Sequence, residues 1–198
     1  MAKTLNFTPD QLRQLFRYHQ ETGDLFWLPR SPDVFPQDSK LSPSVVARRW
    51  NTKYAGRKVD SIDTSTGYIR ASLLGTRLYA HRIIWAMHYG AHPSNMVDHI
   101  NGIKTDNRLS NLRAATMADN QHNRRVVPKV NGRATSSHYC GVYLNRRNNR
   151  WIAKIRAYDP IEGSVQHGLG TYGCQTAAAL AYDAAAKRLH GEFARTNF

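Results

Sequence analysis

The feature that most constrains the fold is a strand-like run at 150–158, in which the side chains alternate in character. One half of the alternating set is apolar or small: Trp151, Ala153, Ile155 and Ala157. The other half carries two cations: Ile152, Lys154, Arg156 and Tyr158. Because successive side chains of a strand point to opposite faces, this run predicts a sheet with one packed face and one basic face.

An alanine-rich helix is predicted at about 176–190, with Gly191 as its C-terminal stop. Its small face would allow helix and sheet to approach closely: Ala177, Ala178, Ala181, Ala184 and Ala185. The segment 138–198 contains two further strand-like runs. We therefore predict that this segment is a three-stranded antiparallel sheet packed on one C-terminal helix.

The preceding chain is predicted to have three parts: a lead-in at 1–54, a central domain at 55–125 and a polar linker at 126–137. In the lead-in, Thr8 is expected to cap an amphipathic helix that Gly23 stops. A short strand at 24–28 and a proline-marked loop at 29–44 follow. The apolar part of the lead-in is expected to pack, and the basic run within 48–58 to contact phosphate.

The central domain is predicted to alternate short strands and helices, bounded by turn and stop residues: a hairpin at 67–80, a helix at 81–89 and a strand at 97–100. Thr116 and Asp119 have the spacing of a capping box, which would open a helix extending to about Arg125. Together with the C-terminal segment, this places the chain in the α+β class.

The charge of the chain points to a polyanionic partner. The 198 residues include 28 Lys and Arg but 14 Asp and Glu, giving a formal net charge of +14. Both the central and the C-terminal parts carry an excess of cations, so the charge is not a simple basic tail. Basic charge interleaved with aromatic residues favours nucleic acid over a membrane surface.

Several other classes of protein are not expected. No run of 18 apolar residues could span a membrane, and the N-terminus lacks a secretory signal pattern, so we expect a cytoplasmic protein. The two cysteines, Cys140 and Cys174, cannot form a four-thiolate site, so no structural zinc is expected.

A candidate chemical site begins at the adjacent pair Asp98 and His99, followed by Asn111 and Asn120. Carboxylate and amide oxygens suit a hard divalent cation, Mg²⁺ or Mn²⁺. A histidine can accept a proton from water, and an asparagine can hold its other ring nitrogen. The alternative is that Asp98 caps a turn and His99 packs in the core.

The run around this pair resembles the phage and homing branch of the HNH endonuclease family: VDHING at 97–102, TDNR at 105–108, SNLR at 110–113 and NQHN at 120–123. The resemblance covers about 55–125 and implies a ββα-metal site. It implies that His99 is the general base and that Asn111 orients it. Asp98 and Asn120 would bind one divalent cation. His81, upstream, is expected to pack rather than to bind metal.

The C-terminal segment resembles the Apetala-two/ethylene-response-factor DNA-binding domain, through HYCGV at 138–142, WIAKIR at 151–156, LGTY at 169–172 and a YDAAA helix. The resemblance implies that the sheet enters the major groove of DNA. Its expected DNA contacts are Tyr143, Asn145, Arg146, Arg147, Arg150, Lys154 and Arg156. Residues that read a GC-rich box in that family are replaced by Tyr143 and Asn145, so no target sequence is implied.

The predicted function is a metal-dependent DNA endonuclease of the homing type, which nicks double-stranded DNA and is targeted by its C-terminal module. The setting implied by the phage-type resemblance is the cytoplasm of a bacteriophage host, with a monomer favoured and no membrane partner. The alternative is a DNA-binding regulator with an inactive HNH remnant. A basic RNA-binding protein is a weaker third reading, because nothing resembles an RNA module.

Overall fold

The computed structural model describes residues 7–35, 37, 40–73, 75–122, 129–130, 133–159 and 161–198. The chain forms two compact units, 1–114 and 115–198. Helices and small antiparallel sheets occur in both, which confirms the α+β class. The boundary between the units falls inside the segment predicted as a central domain at 55–125.

The first unit is built from short elements in the order α1 (Pro9–Leu15), β1 (Phe16–His19), β2 (Asp24–Trp27), α2 (Pro43–Tyr54), β3 (Arg70–Leu73), β4 (Thr76–Tyr79), α3 (Ala80–Tyr89), β5 (Met96–His99) and β6 (Leu112–Ala115). The strands pair as three two-stranded sheets, β1 with β2, β3 with β4 and β5 with β6. Gly90 ends α3 in the left-handed conformation, as its position predicts.

The lead-in differs from its predicted form in two places. The first helix ends at Leu15 instead of near Gly23, because the chain continues from Phe16 as the strand β1. Phe16 pairs with Trp27 and is 1 % exposed. Gly23 lies in the turn between β1 and β2. The helix α2 was not predicted, and it starts at Pro43, inside the predicted loop.

One apolar core holds the first unit together and includes residues from the lead-in as well as the central segment. Its fully buried members include Leu12, Phe16, Leu25, Ile83 and Ile84. The apolar part of the lead-in therefore packs against α3 and its neighbours, as expected. This core brings β1 and β2 into the same folded unit as β5.

The second unit contains α4 (Met117–His122), β7 (Lys129–Val130), β8 (Arg133–Ala134), β9 (Val142–Asn145), β10 (Arg150–Asp159), β11 (Gly163–Tyr172) and α5 (Gln175–His190). The two-residue strands β7 and β8 pair within the predicted linker. Residues 126–128 and 131–132 of that linker, and the predicted end of α4 near Arg125, lie outside the described residues.

The three-stranded antiparallel sheet of the second unit has the order β11-β10-β9 and packs against α5. The predicted alternation of β10 is confirmed, since Ala153, Ile155 and Ala157 are buried while Lys154 and Arg156 are exposed. The register between β10 and β11 shifts at Ala153/Lys154. This β-bulge places one extra residue in β11.

The buried face of α5 differs from the predicted one. Ala178 and Ala185 are buried as expected, but Ala184 is exposed. The buried face of α5 is rotated from the predicted one because Tyr182 packs between the helix and the sheet, against Gly141. Tyr182 is 6 % exposed. Within the described residues, none of the helices combines the length and apolar character of a membrane span.

Candidate functional site

The pair Asp98 and His99 closes β5, and both side chains are buried, at 6 % and 3 % exposure. Neighbours on a regular strand point to opposite sides. His99 is the last residue of the strand, and its carbonyl accepts the N–H of Gly102 in the turn that follows. The chain therefore leaves regular strand geometry directly after His99.

The imidazole of His99 is held by Asn107, whose Oδ1 lies 3.0 Å from the ring Nε2. Because an amide oxygen can only accept, this bond places the ring proton on Nε2. The neutral ring then carries its lone pair on Nδ1. The contact with Asn107 therefore favours the Nε2-protonated tautomer of His99.

Aromatic rings surround His99. The ring of Tyr68 stacks on it at 5.7 Å, and His81 meets it edge-on at 5.2 Å. Burial is the largest influence and lowers the pKa of His99, while the Asn107 bond and the charge of Asp98 oppose this. His99 is therefore neutral near pH 7. His81, 5 % exposed, packs in this cluster as predicted.

The position of Asn107 depends on the first hairpin. Asn107 is 1 % exposed, and its carbonyl accepts the hydroxyl of Tyr18 from β1 at 3.2 Å. The same hydroxyl accepts the N–H of Leu109 at 3.0 Å. A Cβ on Gly23 would lie 2.5 Å from the backbone nitrogen of Arg108, so the turn between β1 and β2 fits directly against this loop.

The side chain of Asn111 forms its bonds within the turn that follows His99. Its Oδ1 accepts the N–H of Asn101 at 3.0 Å, and its Nδ2 donates to Asn101 Oδ1 and to the carbonyl of Asp106. Its own carbonyl accepts the N–H of Ile100. Asn111 thus shapes the turn that follows His99, and the amide that contacts the imidazole belongs to Asn107.

Asp106 closes the same loop. Arg108 donates to both of its oxygens at 2.6 and 2.8 Å, and Asn101 donates at 2.8 Å. The bond from Arg108 is the largest cause that lowers the pKa of Asp106, to about 2. The carboxylate is therefore ionised at all working pH values and holds the loop around Asn107 in one shape.

Asp98 forms an ion pair with Arg113 of β6. The Nη2 and Nε atoms of Arg113 lie 2.9 and 3.0 Å from the same oxygen, Oδ2. Both side chains are nearly inaccessible to solvent, at 7 % and 13 % exposure. A buried carboxylate needs such a partner in order to stay charged in the interior.

The fourth predicted residue, Asn120, lies in α4 of the second unit. The helix opens with the predicted capping box, in which Thr116 and Asp119 bond to each other. The N–H of Asn120 donates to the Thr116 carbonyl at 3.1 Å. Among the described residues, no three His, Cys, Asp or Glu side chains are grouped to hold a metal. A cation here would need amide oxygens as ligands.

The predicted DNA contacts lie on the solvent side of the C-terminal sheet and in its first turn. Tyr143 of β9 pairs with Ile152, and Asn145 with Arg150, so the two strands present one face. Most of these side chains are exposed: Tyr143, Arg146, Arg147, Arg150, Lys154 and Arg156. Asn145 is partly buried, and its Oδ1 accepts the N–H of Arg147 at 3.1 Å.

Three residues of the site were not assigned a role from the sequence. Asn107 and Arg113 lie within the TDNR and SNLR runs of the motif, but neither run indicated what these two side chains would contact. Tyr18 was given no role because it meets Asn107 across a separation of 89 residues.

Part of the central segment matches a known protein family. Residues 78–122, which include β5, β6 and α4, match the sequence model of the HNH endonuclease family. The resemblance seen in the sequence is thus confirmed. No solved structure matches the chain significantly.

Two relatives to which part of the chain is similar are plant proteins. The ethylene-responsive transcription factor ERF084 of Arabidopsis thaliana is 55 % identical over 49 residues, which is 25 % of this chain and 18 % of the relative. The dehydration-responsive element-binding protein 2C of the same plant is 46 % identical over 59 residues, 30 % of this chain and 16 % of the relative. The chain spans less than a fifth of either relative. The comparisons agree with an HNH segment joined to an Apetala-two-type segment.

Proposed function

We propose that this protein is a metal-dependent DNA endonuclease that hydrolyses phosphodiester bonds. The observation that carries the proposal is the buried imidazole of His99, neutral near pH 7 and fixed through Nε2 by Asn107 beside the Asp98 carboxylate. The HNH match across 78–122 supports the same chemistry. His99 acts as general base and accepts a proton from water through Nδ1.

Asp98 and Asn120 are the residues proposed to hold a divalent cation, Mg²⁺ or Mn²⁺. Their carboxylate and amide oxygens suit these hard ions in chemistry. Such an ion, when bound, stabilises charge on the phosphate and on the leaving oxygen. Asn107 fixes the tautomer of His99, and Asn111 holds the turn from which the imidazole projects.

The basic face of the C-terminal sheet is proposed to bind double-stranded DNA. Its exposed cations and its alternation with a buried apolar face support this, as do the DNA-related names of the two plant relatives. Arg150, Lys154 and Arg156 would contact phosphate, while Tyr143 and Asn145 could read base edges. Tethering the nuclease segment to this face raises its effective concentration on DNA.

One such site per chain cuts one strand at each engagement, so nicking by a monomer is the expected product. We propose that the protein is a homing-type enzyme of a bacteriophage and that it acts in the host cytoplasm.

The nuclease proposal predicts that supercoiled plasmid is nicked with Mg²⁺ and left intact with a chelator. His99→Ala should reduce the rate about 100-fold or more, because the general base is lost. His88→Ala is the matched control, since His88 lies exposed on α3. Gel electrophoresis of the relaxed plasmid measures the rate. Undiminished nicking by His99→Ala would show that the base is assigned wrongly.

A second candidate is a DNA-binding regulator with an inactive HNH segment. Arg113 favours it, because its guanidinium already pairs with the carboxylate assigned to the cation. This candidate predicts duplex binding that is equal for wild type and His99→Ala, with no nicking in Mg²⁺ or Mn²⁺. The plasmid assay and a binding assay on the same protein separate the two.

A further inference from the structure

A cavity of about 610 Å³ lies in the first unit, and none of the residues assigned to cleavage lines it. Three aromatic and three cationic side chains dominate its wall: Trp27, Trp50, Tyr54, Arg57, Lys58 and Arg70. Its volume is in the usual range for small-molecule pockets. We call it the aromatic pocket.

The aromatic rings of the pocket pack on one another. Trp27 and Trp50 meet edge to face, with centroids 5.4 Å apart, and Tyr54 follows at 5.3 Å from Trp50. Tyr54 is 37 % exposed, so it forms the outer end of the series. Ring faces at the edge of a cavity are the surface on which a planar base stacks.

A buried cation lies against the same two indoles. The guanidinium carbon of Arg30 is 3.7 Å from the ring centroid of Trp50 and 5.0 Å from that of Trp27. Arg30 is 5 % exposed, and its Nε and Nη2 have no hydrogen-bond partner. The Nε of Arg70, in the pocket wall, also lacks one. An unbonded donor in a pocket wall is unusual, and that of Arg70 points to an anion that completes it.

Charges at the pocket favour an anionic ligand. The pocket wall contains one carboxylate, Asp60, and three cations: Arg57, Lys58 and Arg70. Lys58 pairs with Asp24 at 2.6 Å, and Arg70 lies 3.9 Å from Asp63. Among the described residues, Arg57 has no ion pair, so its charge is the least compensated of the three.

Backbone bonds hold the wall in place. The N–H of Trp27 donates to the Arg57 carbonyl at 3.0 Å, and the carbonyl of Trp27 accepts the N–H of Gly56 at 2.8 Å. Asn51 of α2 bonds twice to the backbone of Arg30. The rings and cations are therefore organised before any ligand arrives.

We propose that the aromatic pocket binds an unpaired nucleobase of DNA together with its neighbouring phosphate. The base stacks on Tyr54, the outer ring of the series, and Arg57 with Arg70 holds the phosphate. The helix α2, which carries Trp50 and Tyr54, also carries three exposed cations: Arg48, Arg49 and Lys53. An acidic peptide would satisfy the charges but would leave the ring faces unused, so a nucleotide fits the site better.

The test uses the full chain with chelator, so that binding is measured without cleavage and independently of the proposed nuclease activity. Two duplexes are compared, one with a single extrahelical 2-aminopurine and one with the same base paired. The wild type should bind the first at least about fivefold more tightly and quench its fluorescence by stacking. Equal affinity for the two duplexes would overturn the proposal.

Substitutions at Tyr54 assign the effect to the pocket. Tyr54→Leu should abolish the preference, whereas Tyr54→Phe should keep it, because only the phenyl ring retains a stacking face. Tyr89→Leu, at an exposed tyrosine on α3, is the matched control and should leave the preference unchanged. A preference that survives in Tyr54→Leu contradicts the proposal. So does competition by polyglutamate that equals that of an unlabelled oligonucleotide of the same charge.

Discussion

At the residue scale, the chemistry of the candidate site depends on which proton His99 carries. Its bond to Asn107 and its burial act on the pKa of the imidazole in opposite directions, and burial is the larger. A base whose pKa lies below its ordinary value of about 6.5 stays deprotonated into mildly acidic solution. The lowered pKa keeps the imidazole of His99 deprotonated over a wider pH range. It also makes the imidazole a weaker base.

Asn107→Ala should slow nicking about 10- to 100-fold, because the ring loses the bond that sets its tautomer and direction. It should also move the acidic limb of the pH–rate profile to lower pH. The Asn107 bond raises the pKa of His99, so removing it lowers that pKa further. Rates of single-turnover nicking between pH 5 and pH 8 measure both effects.

Asn95→Ala, at an exposed asparagine just before β5, should change neither the rate nor the profile. If Asn107→Ala lowers the rate with an unmoved acidic limb, Asn107 acts only by shaping the loop.

At the scale of elements, the contact between α5 and the sheet leaves no room at Gly141. A Cβ there would lie 2.1 Å from the ring of Tyr182 and 2.5 Å from the carbonyl oxygen of Lys154. Gly141 also has a φ of +69°, which side chains rarely adopt. Steric fit and backbone conformation thus both require glycine.

Gly141→Ala should lower the free energy of unfolding of the second unit by roughly 3 kcal/mol, the sum of overpacking and backbone strain. Gly163→Ala is the matched control, since Gly163 has a φ of +77° and nothing within 4 Å of its added Cβ. The control should cost about 1–2 kcal/mol. Denaturant titration followed by fluorescence compares them, and equal losses would mean that the sheet and helix move apart without cost.

The hairpin of β1 and β2 supports the loop between β5 and β6. Tyr18 and Gly23 support the loop that carries Asn107, although the lead-in showed no resemblance strong enough to assign it a role. The lead-in therefore helps to position Asn107, which contacts His99.

At the scale of the whole molecule, the net charge of +14 should make binding to the proposed partner, DNA, strongly dependent on salt. Each phosphate contact that is removed should reduce the slope of log affinity against log salt by about 0.9. Lys154→Ala should show this reduction, because Lys154 lies exposed on the basic sheet face. Duplex binding between 50 and 200 mM salt measures the slope.

Lys187→Ala removes the same charge from α5, which packs on the other side of the sheet. Its slope should equal that of the wild type. Equal reductions in the two variants would show that DNA responds to net charge alone and does not bind the sheet face.

The sequence by itself determined the local elements whose signals lie within a few residues. The alternation of β10, the turn glycines, the stop of α3 at Gly90 and the capping box of α4 all follow from strand and helix periods or from local backbone preferences. The adjacent Asp98 and His99 were singled out as candidates in the same way, through a compact motif.

Only the tertiary structure decided which groups touch. It gave the His99 contact to Asn107, paired Asp98 with Arg113, and joined Trp27 and Trp50 around Arg30. These contacts depend on packing between elements far apart in the chain. Local propensity carries no information about them, because each polar side chain has several chemically equivalent partners until the core fixes their distances.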